Sequence, residues 1–221
     1  MPEIRIAKKL TSANAAIAAE VRALLARHRV LSVNVLGSPG AGKTAVLEAL
    51  ASRLKSSVRI GVVEGDLETS RDAERMERAG VKALQITTGR GCHLHAGMVQ
   101  DALSAFDLPE LDLLFVENVG NLVCPADYDL GEDFRILVVS VTEGDDKAAK
   151  YPPMFASAHV LVLNKTDLLP HVDFDAEKFL AEARSIRPSV EVFRVSCRTG
   201  EGVQALADRI AERVRLKRSA T

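Results

Sequence analysis

A glycine-rich stretch at residues 37–44, GSPGAGKT, constrains the fold of this chain more than any other feature. It matches the pattern GxxxxGKS/T at every fixed position. That pattern needs a buried strand before it and a helix after it, so that backbone N–H groups and the helix dipole converge on phosphate oxygens. Residues 30–36 are apolar and rich in valine, and residues 45–55 carry leucine and valine at helical spacing. The stretch therefore predicts a phosphate-binding loop (P-loop).

The residue types in this loop fit distinct roles. Lys43 is expected to reach the β- and γ-phosphates and Thr44 Oγ1 to bind Mg²⁺, while the glycines allow close backbone approach. A glycine-rich turn without a ligand is the alternative, but such a turn gives no reason to place Lys-Thr directly after the last glycine. The residues expected to hold the phosphates are Gly37, Ser38, Pro39, Gly40, Ala41, Gly42, Lys43 and Thr44.

Length and composition limit the class of protein. A chain of 221 residues suits one α/β domain with an appendage. Its apolar runs are too short to span a bilayer, and its first residues lack a signal-peptide pattern, so we expect no membrane association and a cytoplasmic location. The net charge of −1 gives no electrostatic footprint for nucleic acid. The basic residues near the C-terminus are interpreted as a solvated helix face.

Apolar strands alternate with helical patterns along the chain. Strands are predicted at residues 30–36, 58–64, 83–86, 111–116, 134–142, 160–163 and 190–195, and helices at 13–29, 45–55, 71–79, 94–106, 175–185 and from 203 onward. Near-continuous Val/Ile/Leu strands alternating with helices indicate a mostly parallel sheet with helices on both faces. We predict an N-terminal helical arm at residues 1–29 and a P-loop NTPase domain at residues 30–221.

A second motif points to the base of the nucleotide. Asn164, Lys165 and Asp167 follow directly on the apolar run 160–163, as in the guanine-reading motif NKxD. The Asp167 carboxylate can accept from N1–H and the N2 amino group of guanine, whereas adenine would leave it buried and unpaired. Ser196 and Cys197, after the last strand, fit a loop whose backbone contacts guanine O6. GTP is thus favoured over ATP, and an ATP-dependent small-molecule kinase is the weaker alternative.

Carboxylates at two strand ends are candidates for the Mg²⁺ shell. Asp66 and Glu117 each end an apolar strand, and we assign both to Mg²⁺, directly or through water, together with Thr44. Gly120, three residues after Glu117, is expected to sense the γ-phosphate. For Glu117 the alternative is a helix N-cap or loop carboxylate. Asp72 is a weaker candidate.

The sequence does not reveal a group that activates water. Asn121 stands after Gly120, where many GTPases have a glutamine, and nothing marks Arg71 or Arg90 as an arginine finger. We therefore expect slow intrinsic hydrolysis of GTP to GDP and phosphate.

Cysteine and histidine residues form a possible metal site. Cys92 and His93 are adjacent, and Cys124 follows Glu117 by seven residues on the segment that γ-phosphate sensing should move. Two thiolates and an imidazole suit Zn²⁺ or Ni²⁺, while buried or incidental thiols remain an alternative. A two-fold dimer would gather two sets of ligands at one interface. His95 is a possible extra ligand.

These motifs together resemble the HypB family of hydrogenase nickel-incorporation GTPases. The resemblance rests on residues 37–44, the EGD run at 64–66, Cys92-His93, the run ENVGNLVCP at 117–125 and NKTD at 164–167, in family order. It covers the chain from about residue 17 onward. The run at 117–125 is the most specific part, because it joins a switch and a metal ligand in one motif.

The resemblance implies a metallochaperone-type GTPase that couples GTP binding and hydrolysis to nickel delivery for nickel–iron hydrogenase. It also implies a homodimer favoured by GTP, Ni²⁺ or Zn²⁺ at Cys92, His93 and Cys124, a HypA-type nickel metallochaperone partner, and the hydrogenase large-subunit precursor as client. Residues 1–29 lack the cysteine cluster or histidine-rich tract of some members, so high-affinity N-terminal nickel binding is not expected. Two alternatives remain: a related chaperone GTPase for urease or another metalloenzyme, and a metal-binding module in which GTP is a structural ligand.

Overall fold

The computed structural model describes residues 3–66, 75–77, 79–89 and 91–220, and for residues 3–11 the backbone alone. Within these ranges seven strands form one sheet. They are β1 (Leu31–Gly37), β2 (Ile60–Asp66), β3 (Lys82–Thr87), β4 (Leu113–Glu117), β5 (Phe134–Ser140), β6 (Val160–Asn164) and β7 (Glu191–Arg194).

Seven α-helices have described bounds alongside the sheet, together with short 3₁₀ turns. The helices are α1 (Glu3–Arg27), α2 (Lys43–Leu54), α3 (Ala96–Leu103), α4 (Lys147–Lys150), α5 (Pro152–Ser157), α6 (Ala176–Ile186) and α7 (Val203–Ser219). One 3₁₀ turn, Cys124–Asp127, contains a candidate metal ligand.

Every described strand pairing is parallel, and the order is β3-β2-β4-β1-β5-β6-β7. The strands therefore end at the same edge of the sheet. Strands β2, β3 and β4 lie on one side of β1, and β5, β6 and β7 lie on the other. The loop after β1 is therefore at the point where the strand order reverses, which is where open α/β sheets bind ligands. The predicted parallel sheet with helices on both faces is confirmed.

Alternate side chains of the strands enter different cores. Val33, Phe115 and Ile136 point to a core shared with α2 and α7. Leu137 and Leu161 point to the opposite face, where α5 and α6 cover them. On that same face, Leu114 packs with α1 and α3. Burial on both faces explains why these strands read as continuous apolar runs rather than alternating ones.

Helix α1 packs against the domain. Val21 and Leu25 are buried, and the Asn14 side chain accepts from Ala96 N at 2.8 Å and donates to the Asp129 carbonyl at 2.7 Å. Arg22 adds an ion pair to Asp129 at 2.7 Å. The helix begins at Glu3, ten residues before the predicted start at 13, because the intervening residues contain no glycine or proline that would end it.

Other differences from the predicted elements lie at boundaries and in one connection. Most strand ends shift by one to three residues, and α4 and α5 occupy a stretch for which no element was predicted. Of the helix predicted at 71–79, residues 75–77 are helical, while Asp72, Arg71 and Arg90 lie outside the described residues. None of the helices in the described ranges is both long enough and apolar enough to cross a membrane.

Four basic residues of α7 pair with neighbouring carboxylates. Arg209 and Arg213 both contact Glu191, Lys217 pairs with Asp133 at 2.6 Å, and Arg218 pairs with Asp112 at 3.1 Å. Paired charges on a solvated helix leave little net field for an anionic partner.

Candidate nucleotide and metal sites

The P-loop backbone adopts conformations that only glycine enters readily. Gly40 and Gly42 have φ angles of 78° and 93°. A Cβ on Gly42 would lie 2.5 Å from Asn164 Nδ2, so the loop and the guanine motif touch directly at this point. Gly42 is also the residue before α2, which begins at Lys43. The N-terminus of α2 therefore faces the cleft, as phosphate binding requires.

Lys43 and Thr44 are buried at the floor of this cleft. Lys43 Nζ donates to the carbonyls of Gly37 and Ser38, at 3.4 Å each, and so lies within the turn of the loop. Thr44 Oγ1 donates to Glu117 Oε1 at 3.0 Å. The cleft has a volume of about 390 Å³, enough for a triphosphate. Its walls come mainly from the P-loop, the end of β2, and the end of β4 with the residues that follow it.

Three carboxylates line the cleft. Glu64 and Glu117 are register partners on the adjacent strands β2 and β4, and Asp66 ends β2. Glu64 and Glu117 are 2% and 6% exposed. With the Thr44 hydroxyl they form a set of hard oxygen ligands of the kind Mg²⁺ prefers. The sequence motif assigned Asp66 and Glu117, and the structure adds Glu64.

The switch segment after Glu117 lies on the P-loop. A Cβ on Gly120 would be 3.0 Å from the backbone N and Cα of Pro39. The next residue, Asn121, forms an antiparallel bridge with Gly37, and its N–H donates to the Gly37 carbonyl at 3.1 Å. Residues expected to sense a γ-phosphate are therefore in direct contact with the loop that would hold it.

The guanine motif is joined to the same loop. Asn164 Nδ2 donates to the Ala41 carbonyl at 3.0 Å and so braces the P-loop. Lys165 Nζ donates to the Gly40 carbonyl at 2.7 Å, and Lys165 itself has a positive φ of 62°. Asp167 Oδ1 accepts from Ser196 Oγ at 2.6 Å, which fixes the carboxylate.

A second cavity of about 310 Å³ adjoins this motif and is lined by Asp167, Lys165, Leu168, Cys197 and Arg198. Its size and its single fixed carboxylate suit a purine base. Burial and the negative charges of Glu48 and Asp167 raise the pKa of the Cys197 thiol to about 11. Cys197 is thus a neutral wall of the cavity at physiological pH.

The predicted metal ligands converge. One ligand atom from each of Cys92, His93 and Cys124 lies within 4.8 Å of the others. Cys92 Sγ is 3.5 Å from His93 Nδ1, and Cys92 is exposed. The His93 ring stacks on Tyr128, with 3.8 Å between ring centroids and 29° between planes. Three soft or borderline ligands leave a tetrahedral ion one open position.

Burial and neighbouring groups shift the pKa values of Cys92 and His93. A hydrogen bond to Cys124 and partial burial raise the pKa of the Cys92 thiol, while burial and the nearby His95 lower the pKa of His93. A divalent cation would favour the thiolates and the neutral imidazole. His95, considered as an extra ligand, instead caps α3, where its Nδ1 accepts from Met98 N at 3.3 Å.

Two asparagines connect the switch segment after Glu117 to the loop that contains Cys92 and His93. Asn121 Nδ2 donates to the Cys92 carbonyl at 3.2 Å, and Asn118 Oδ1 accepts from Leu94 N at 3.1 Å. Neither was singled out for this role from sequence, although both lie within the run 117–125. Glu143, also missed, accepts a hydrogen bond from Ser38 of the P-loop and closes a capping box with Ser140.

The fold and the cleft define a P-loop nucleotide-binding protein with an adjoining candidate metal site. Residues 31–194 match the family model of the CobW/HypB/UreG nucleotide-binding domain.

Similar proteins narrow this assignment. A hydrogenase maturation factor HypB of Azotobacter vinelandii is 50% identical over 200 residues, which is 90% of this chain and 66% of that protein. A probable HypB of Methanocaldococcus jannaschii is 43% identical, with 95% of each chain covered. A crystal structure of HypB from Helicobacter pylori in complex with nickel superimposes with a TM-score of 0.87 at 38% identity, over 94% of this chain and 98% of that one. The chain therefore belongs to the HypB family within the CobW/HypB/UreG proteins.

Proposed function

We propose that this protein is a GTP-hydrolysing metallochaperone that couples GTP binding and hydrolysis to nickel delivery for nickel–iron hydrogenase maturation. One observation carries the proposal: a single short segment connects the nucleotide cleft to the metal site. It begins at Glu117, which accepts a hydrogen bond from Thr44, and continues through Asn121 to the proposed metal ligand Cys124. At the end of that segment Cys124 meets Cys92 and His93, and one ligand atom from each of the three lies within 4.8 Å of the others. The nickel complex of the Helicobacter pylori relative supports nickel as cargo.

The nucleotide half of the proposal rests on the cleft. The P-loop amides and Lys43 would bind the phosphates, and Asp167, held by Ser196, would select guanine. Thr44, Glu117, Asp66 and Glu64 would hold Mg²⁺, whose chemistry is to neutralise charge on the β- and γ-phosphates. The absence of a glutamine at position 121 supports slow intrinsic turnover.

The metal half rests on Cys92, His93 and Cys124 as ligands for Ni²⁺ or Zn²⁺. Their single open position suits an ion that must be handed on, because a closed four-ligand site would retain it. If GTP alters metal affinity through the switch, metal must alter GTP affinity by the same factor.

Assembly and partners are inferred from the family to which the chain belongs. A homodimer favoured by GTP, a HypA-type metallochaperone, the hydrogenase large-subunit precursor as client and a cytoplasmic location are all proposed for this chain. Exposed Cys92 and the 61% exposed Val123 next to Cys124 give such partners direct access to the ion.

The test combines metal titration with mass measurement. Ni²⁺ and Zn²⁺ are titrated into wild type and Cys124→Ala, first with GDP and then with a non-hydrolysable GTP analogue, while light scattering records molecular mass and phosphate release is followed separately.

We expect weaker binding in Cys124→Ala, a nucleotide-dependent affinity in wild type, a shift to dimer with the analogue, and slow phosphate release from GTP. Equal affinities in both nucleotide states would refute the coupling. Nucleotide-dependent metal binding without phosphate release would instead support the alternative that the protein is a metal-binding module in which GTP is a structural ligand.

A further inference from the structure

Arg135, the second residue of β5, contacts neither the nucleotide cleft nor a metal ligand, yet its guanidinium uses all three nitrogens. Nη1 donates to the Ala126 carbonyl at 2.9 Å, Nη2 donates to the Tyr128 carbonyl at 2.8 Å, and Nε donates to Glu132. The side chains of Arg135 and Glu132 are 12% and 4% exposed. This is a buried, fully directed set of charge-assisted bonds, which fixes geometry more firmly than a solvated pair would.

The segment that Arg135 holds is the one that presents the metal ligands. The Ala126 and Tyr128 carbonyls flank Asp127 at the end of the 3₁₀ turn Cys124–Asp127, so the clamp acts two residues after Cys124. The Tyr128 ring stacks on His93 at 3.8 Å. One arginine therefore restrains the backbone of one ligand and the ring that braces another.

A second branch reaches the other side of the site. Glu132 Oε1 also accepts from Asn34 Nδ2 at 3.4 Å, and Asn34 Oδ1 accepts from Asn118 Nδ2 at 3.3 Å. Asn118 in turn accepts from Leu94 N, directly after His93. Asn34 and Asn118 are both fully buried. A continuous network of hydrogen bonds thus joins both metal-bearing segments, residues 92–93 and residues 124–128, to β1, the strand that leads into the P-loop.

We propose that Arg135 is a positioning residue of the metal centre: it holds the carbonyls of Ala126 and Tyr128 so that Cys124 and the Tyr128-braced His93 meet at ligand distance. The inference rests on the proposed metal site. A lysine can replace this arginine only in part, because one ammonium lacks the planar fork that reaches two carbonyls and a carboxylate together.

The expected effect is on metal affinity. Residues that orient metal ligands typically change affinity by 10–100-fold when replaced. Arg135→Gln should weaken Ni²⁺ binding by ~10-fold or more, and Arg135→Lys should lie between Gln and wild type. At saturating Ni²⁺ the thiolate-to-nickel absorption band should shift or weaken, since Cys124 is no longer held in place.

Matched variants separate positioning from general stability. Arg213→Gln serves as the control, because Arg213 also pairs with a glutamate and packs over Phe134 of β5 but has no bond to the metal-bearing segments. Tyr128→Leu removes the stack while keeping the carbonyl that Arg135 holds, and Tyr128→Phe keeps the stack. Circular dichroism and thermal unfolding record the fold of each variant.

The inference predicts weaker Ni²⁺ binding in Arg135→Gln and Tyr128→Leu, with wild-type binding in Arg213→Gln and Tyr128→Phe. Wild-type affinity and absorption in a folded Arg135→Gln or in Tyr128→Leu would overturn it, even if Cys124→Ala is defective. Should Arg135→Gln fail to fold, Arg135→Lys and Tyr128→Leu decide by the same criteria. If wild type and Cys124→Ala bind Ni²⁺ equally, the metal site itself, and with it the proposed function, is wrong.

Discussion

Asn121 donates from its side chain to the Cys92 carbonyl at 3.2 Å and from its backbone N–H to the Gly37 carbonyl at 3.1 Å. A single residue therefore contacts the first residue of the P-loop and the loop that carries two candidate metal ligands, Cys92 and His93. Its Oδ1 also accepts from Val123 N at 2.8 Å, next to Cys124. Asn121 thus links the P-loop directly to both segments that carry the candidate metal ligands.

Asn121→Asp should uncouple the two sites. An aspartate keeps an acceptor for Val123 N but cannot donate to Cys92. Site-to-site couplings are typically about 1–3 kcal/mol, or roughly 5–150-fold in affinity. We expect the ratio of Ni²⁺ affinities with GTP analogue and with GDP to fall toward one, measured by calorimetry. A ratio equal to that of wild type would place the coupling elsewhere.

Asp167→Asn should change base selectivity. The amide cannot accept from both N1–H and the N2 amino group of guanine, but its N–H₂ can donate to the C2 carbonyl of xanthine. GTP affinity should fall by ~10²-fold or more, and XTP should bind better than GTP. Competition against a fluorescent GDP analogue measures both. Ser196→Ala, which frees the carboxylate without removing it, is the milder control, and unchanged GTP binding in Asp167→Asn would exclude this residue from the base site.

Glu117→Gln should impair hydrolysis more than binding. The amide oxygen can still accept from Thr44, so the fold is preserved while one negative charge of the proposed Mg²⁺ site is lost. A loss of about 2–3 kcal/mol of transition-state stabilisation corresponds to ~10²-fold in phosphate release. Glu64→Gln, on the paired strand position, should produce a smaller loss in the same assay. Full activity of Glu117→Gln at low Mg²⁺ would contradict the assignment.

Cys197 should alkylate slowly and in a pH-dependent way. Its pKa of about 11 leaves it a thiol at neutral pH, because burial and the charges of Glu48 and Asp167 disfavour the thiolate. Since the thiolate is the nucleophile, the rate should rise about tenfold per pH unit up to pH 10. A Cys92→Ser/Cys124→Ser variant treated with iodoacetamide and analysed by mass spectrometry isolates this thiol. A plateau near pH 9 would mean an unperturbed cysteine.

Local patterns predicted the nucleotide site because its parts are contiguous in sequence. The P-loop, Glu117 with Gly120, and Asn164 with Asp167 each begin at the last residue of a strand, and parallel strands bring their ends to one edge. The candidate metal ligands were selected by residue type. Their closeness could not be predicted locally, because the fold brings Cys124 to Cys92 and His93 from a distant part of the chain.

The supporting residues were not predictable in the same way. Arg135 lies inside a strand that reads as apolar core, and its partners are two backbone carbonyls that no sequence pattern encodes. Glu64 precedes the recognised Asp66 by two residues, and only the register with Glu117 reveals that both face the same cleft. The early start of α1 escaped prediction because its apolar stripe becomes regular only after residue 13.

The close fit of Gly120 against Pro39 has a practical consequence for observing this protein at work. Gly120 already packs against the phosphate loop, so the two must move together. A displacement of tenths of an ångström at Gly120 would therefore shift the Cys124 sulfur, four residues later, by a similar amount. X-ray absorption at a bound ion, which resolves bond lengths on that scale, is therefore better matched to this molecule than a search for large domain rotations.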